Sequence, residues 1–156
     1  MADEVEIERE VDPKTGKLTK TITEKLGPGP GDLTVTTTTY DAQGGIQMRV
    51  IEVFHRPGED PRERSNLVER TTQDFDETGK IVVRETYETF GEGVNEVPKT
   101  KTVTEWVIDP ATKRRKVKAV RVYHWKEGKG NAPGQWVQDT TINFNNNEKV
   151  SSVTHP

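Results

Sequence analysis

The chain has 156 residues, 29% apolar and 31% charged, with a net charge of −3, no cysteine and a mean hydropathy of −0.87. The length fits one domain, residues 1–156, and an apolar fraction so far below the roughly 45–50% of ordinary globular chains, a figure that also counts Gly, excludes a large dry core. No disulfide framework, thiolate zinc site or thiol nucleophile is possible, and no 18-residue apolar run suggests a membrane span.

Low hydropathy with many charges also marks disordered chains, but the residue types and their phase argue for strands. There are 21 Thr and 18 Val, β-branched residues that suit pleated backbone. Apolar and polar residues also alternate with period two, as in Val5-Glu6-Ile7-Glu8 and Leu18-Thr19-Lys20-Thr21-Ile22.

A single tip pattern recurs five times: a large apolar residue, then Asp or Asn, a short turn, and a Gly or basic residue. It reads Val11-Asp12-Pro13-Lys14-Thr15-Gly16, Tyr40-Asp41-Ala42-Gln43-Gly44-Gly45, Phe75-Asp76-Glu77-Thr78-Gly79, Ile108-Asp109-Pro110-Ala111-Thr112-Lys113 and Phe144-Asn145-Asn146-Asn147-Glu148. The Asp or Asn side chain caps nearby amides, Pro presets φ, and Gly supplies positive φ, which together make hairpin tips near 12–17, 41–45, 76–80, 109–114 and 145–149. The tips are spaced 29, 35, 33 and 36 residues apart, too unevenly for a strict solenoid.

Strands are predicted on both sides of each tip, over 4–11, 17–26, 33–40, 45–55, 67–75, 80–90, 101–108, 115–125, 135–144 and 149–154. The longer Gly-, Pro- and charge-rich connections, 27–31, 56–66, 91–100 and 126–134, fall between hairpins. The fold class is therefore all-β: one domain of about ten antiparallel strands in an up-and-down meander of five hairpins. Counting back from the tips pairs Val11 with Leu18, Ile7 with Ile22, Arg9 with Lys20, Phe75 with Ile81, Glu69 with Tyr87 and Trp106 with Val117. The inner face so built mixes aromatic and aliphatic residues with charges. It should not stay in water, so a closed or nearly closed barrel or clam is expected, with an open single-layer or two-layer sheet as the alternative. Thr19, Thr21, Thr23, Thr34, Thr36 and Thr38 are assigned to the outer face.

Candidate binding residues follow from that inner face. Arg121 and Tyr123, two residues apart on one strand, can grip a carboxylate, and Trp125, Trp136, Trp106 and Tyr87 supply apolar surface. The Arg121-x-Tyr123 spacing resembles the Arg-x-Tyr of fatty-acid-binding β-clams, over three residues and without that family's helix-turn-helix lid. His55, His124 and His155 have no second His or matched carboxylate nearby in sequence, so neither a metal site nor a catalytic triad is expected. The basic run Lys113-Arg114-Arg115-Lys116 reads as a solvated turn, and the acidic row Glu4, Glu6, Glu8 and Glu10 as protection of an edge strand.

The expectation is a non-enzymatic, cytoplasmic binding protein without cofactor, holding a small amphipathic ligand in a partly polar cavity. The alternative is a structural sheet that associates with itself through its apolar face or its edges. Nucleic acid is not an expected partner at this net charge.

Overall fold

The computed structural model describes residues 4–29, 31–55, 67–91 and 97–155; the predicted connection 56–66 and the centre of 91–100 lie outside them. The strands are β1 (Val5–Val11), β2 (Leu18–Leu26), β3 (Leu33–Tyr40), β4 (Ile46–Phe54), β5 (Leu67–Phe75), β6 (Val82–Gly91), β7 (Val97–Ile108), β8 (Arg115–Lys126), β9 (Gln135–Phe144) and β10 (Val150–Thr154). They form one antiparallel sheet in the order β1 through β10. Among the described residues there is no helix, and none long and apolar enough to cross a membrane.

Each hairpin tip is built by the residue the repeat singles out. The Asp12 carboxylate accepts from the Lys14 amide at 2.8 Å, Asp41 from Gln43 and Gly45, and Asp76 from Lys80 and Ile81. Asp109 accepts from Ala111 and Thr112, and the Asn145 side-chain carbonyl from Asn147 and Lys149. Positive φ is supplied by Gly16, Gly44 and Gly79 in three tips and by Lys113 and Glu148 in the other two. The last two accept the modest cost of a left-handed non-glycine residue inside an otherwise satisfied turn.

The register differs from simple counting chiefly for one repeated reason. Beside every tip the outgoing strand holds one residue more than its partner, at Thr19, Gln47, Val83, Lys118 and Ser151. Such bulges bend the strand and add right-handed twist. Val11 pairs with Leu18 and Trp106 with Val117 as expected. Past the bulge, however, Ile22 faces Glu8 rather than Ile7, and Arg9 faces Thr21 rather than Lys20. At the third tip the turn closes between Asp76 and Ile81, so Phe75 faces Val82 rather than Ile81, and past the Val83 bulge Glu69 faces Thr89 rather than Tyr87.

The sheet does not close, which corrects the expected barrel and realises the open-sheet alternative. β1 pairs only with β2 and β10 only with β9. Substantial strand contacts join only neighbours in sequence, so no second layer covers either face among the described residues. A closed barrel of this size must fill its interior or enclose a solvated one. Among the described residues the buried apolar side chains are few: Leu33, Val35, Phe54, Leu67, Phe90 and Ala119. Five of them form one cluster with Ile22 packed against it, on β3 to β6 at the end where the longer connections lie.

Following cross-strand pairs divides the side chains between two faces. The first carries the rows Thr21, Thr38, Arg49, Gln73 and Thr23, Thr36, Ile51, Thr71. Thr21 and Thr38, expected on an outer surface, are only 8% and 6% exposed, because they floor a groove of ≈550 Å³ walled by Arg9, Tyr40 and Arg49. The second face carries the apolar cluster and most of the paired charges.

Candidate functional site

Four of the six residues singled out from sequence share the second face. Arg121, Tyr123 and Trp125 alternate along β8, and Trp136 lies directly opposite Trp125 in the register with β9. The two indoles meet edge to face, with centroids 5.2 Å apart, a favoured arrangement of aromatic quadrupoles. Gly134 runs so close beneath the Trp125 ring that any side chain there would collide with it.

The remaining two lie elsewhere. Tyr87 is on the first face, opposite Thr71 and Thr102; burial first, and then a hydrogen bond with the Glu69 carboxylate, raise its phenol pKa. Trp106 sits past the bulge at the tip end of β7, with the Arg115 guanidinium 4.2 Å from its ring centroid. It lies at the opposite end of the sheet from Trp125 and Trp136, which flank the 126–134 connection.

Charges absent from the sequence-based selection complete this face. Glu52, Arg70, Glu88, Lys101 and Tyr123 are successive cross-strand partners on β4 to β8, so four charges alternate in sign along one row. Arg70 reaches Glu52 at 3.3 Å and Glu88 at 3.8 Å, with its guanidinium 5.2 Å from the Phe90 centroid. The Lys101 ammonium lies 4.6 Å from the Tyr123 ring and 4.7 Å from the Trp136 ring, as cation–π attraction favours. Burial lowers its pKa, and the nearby Glu88 charge opposes that shift.

Two rows away, Glu105 receives Arg84 and Arg121, each at 2.9 Å on the same carboxylate oxygen. Burial alone would raise the Glu105 pKa, but the bonds and charges of the two arginines outweigh it and the net shift is downward. The guanidinium chosen as a carboxylate clamp thus already holds a carboxylate of its own chain.

The histidines are not isolated in space. His55 Nδ1 is 2.6 Å from Asp32 Oδ1, and His124 Nδ1 is 2.5 Å from Asp139 Oδ1. Asp32 stands 23 residues before His55 and Asp139 15 residues after His124, so no local motif announces either pair. Among the described residues no three His, Cys, Asp or Glu side chains gather as a metal-binding group.

No family model matches this chain, and no curated protein is similar to it. A crystal structure of a protein with unknown function from Bacteroides fragilis NCTC 9343 aligns over 95% of this chain and 96% of its own, at 14% identity and a TM-score of 0.38.

Proposed function

We propose that this chain is a non-enzymatic, cytoplasmic structural protein that associates with copies of itself through the edges of its open sheet. The observation that carries this reading is the pair of uncovered edges. Every residue of β1 and of β10 is exposed, and of the nine exposed large apolar side chains among the described residues, five, Val5, Ile7, Val11, Val150 and Val153, lie on those two strands. Uncovered strand edges present rows of backbone donors and acceptors that template further pairing. Size-exclusion chromatography with multi-angle light scattering, over a concentration series at low and high salt, tests it. A mass that rises with concentration supports assembly, and a constant monomer mass refutes it.

A second reading is favoured by the grouping of Arg121, Tyr123, Trp125 and Trp136 on one face. An amphipathic ligand would lay its apolar part on the indoles, while its acidic group competes with Glu105 for Arg121. Saturable change of tryptophan fluorescence with a fatty acid, weakened by Arg121→Ala, supports that reading, and absence of any saturable change refutes it.

A further inference from the structure

The two edges are not equivalent. β1 carries Glu6, Glu8, Arg9 and Glu10 within seven residues, and a bulge shifts its register at Ile7, between Glu6 and Glu8. Charge and bulging are the two devices that keep an edge from pairing. If β1 met its own copy antiparallel about Glu8, Glu8 would oppose Glu8 and Glu6 would oppose Glu10, and like charges directly opposite one another destabilise a ladder. β10, Val150–Thr154, carries no charge. Its one bulge falls at Ser151 beside the tip, leaving Ser152 to Thr154 in regular register with Asn143, Ile142 and Thr141.

A second observation points to what covers β10. On the first face, Val120, Ile142 and Val153 are successive cross-strand partners, an apolar row running outward across β8, β9 and β10. The row stops at the edge with Val153 51% exposed.

Resting on the assembly reading above, we infer that β10 is the pairing edge, that its occupant is β10 of a second copy, and that the product is a closed two-fold dimer. A two-fold axis normal to the sheet, placed at Val153, sets Val153 against Val153 and Ser152 against Thr154, the latter pair able to exchange hydroxyl hydrogen bonds. The axis keeps each residue on its own face, so Val120, Ile142 and Val153 run on into Val153, Ile142 and Val120 of the second copy. The joint is isologous and uses up both uncharged edges. What remains outward is the acidic, bulged β1 at each end of a twenty-stranded sheet, and growth stops there.

Charge exchange at Val153 tests this with the full chain. Val153→Lys and Val153→Glu, at a half-exposed position, keep the fold by far-ultraviolet circular dichroism. Each alone weakens the dimer about tenfold or more, because like charges then face each other at the axis. Mixing the two variants restores a dimer by light scattering, and Glu8→Lys leaves dimerisation unchanged. If β10 instead met the acidic β1 of a neighbour, Val153→Lys alone would strengthen association, mixing would restore nothing, and the inference falls. Association abolished by Glu8→Lys but indifferent to Val153, or growth past the dimer, also overturns the β10 assignment while leaving edge assembly standing. A wild-type chain that stays monomeric at every concentration overturns both.

Discussion

Leu67→Ala tests whether this thin sheet depends on the apolar cluster on β3 to β6. Leu67 is 1% exposed, faces Phe54 across the ladder and belongs to the cluster with Leu33, Val35 and Phe90. Alanine removes three carbons, worth ~2.4 kcal/mol at about 0.8 kcal/mol per buried methyl or methylene group. Unfilled space adds to that, up to about 5 kcal/mol where walls stay rigid. Here the walls are a few side chains with no second layer behind them, so they can partly collapse, and the expected loss is ~3 kcal/mol. Against the roughly 5–15 kcal/mol of an ordinary domain that is a large share. Urea unfolding followed by circular dichroism measures it as a fall in midpoint at unchanged slope. Leu26→Ala, at a residue 67% exposed, serves as the control and should cost under about 0.5 kcal/mol. A Leu67→Ala loss below about 1 kcal/mol, or one equal to the control, would refute the view that the cluster holds the sheet.

Asp109 should titrate well below an ordinary aspartate. The Lys116 ammonium at 2.9 Å and the amides of Ala111 and Thr112 hold its pKa at about 2. Because the folded value is depressed, its contribution to stability is fully present above about pH 4 and is lost as pH falls through about 2. Titration by NMR should show this value, and Lys116→Met should raise it; an unchanged value in the variant would contradict the assignment of cause. Gly16 and Gly79 share φ +71°, but a side chain on Gly16 meets open space while one on Gly79 runs into the Gly45–Ile46 backbone of the neighbouring tip. Gly16→Ala should therefore cost ~1 kcal/mol through φ alone and Gly79→Ala at least ~1 kcal/mol more, and equal losses in urea unfolding would show that the tips do not touch in solution.

Strands and tips were legible because their signals are local. Asp12, Asp41, Asp76, Asp109 and Asn145 each bond amides within five residues, and β3, β5 and β9 span the predicted residues. Pairing beyond the tips was not legible, since the extra residues at Thr19, Gln47, Val83, Lys118 and Ser151 carry no common residue type. Closure depends on whether strands at opposite ends of the chain meet, and no local pattern encodes that. The candidate site divides along the same line. Arg121, Tyr123 and Trp125 follow from period two on a single strand. Glu52, Arg70, Glu88 and Lys101, on four strands, become a row only once three bulged registers are known.

That the substantial strand contacts among the described residues join only neighbours in sequence makes the molecule nearly one-dimensional in its energetics. Stability then sums over hairpins and the seams between them, as in solenoid arrays, rather than over a single shared interior. Loosening starts at β1 and β10, and the amides of β4 and β5, flanked by the Phe54–Leu67 pair, exchange last. A chain of this kind can lengthen or shorten by whole hairpins without breaking any distant contact, so the uneven tip spacing of 29 to 36 residues is a latitude that the architecture itself permits.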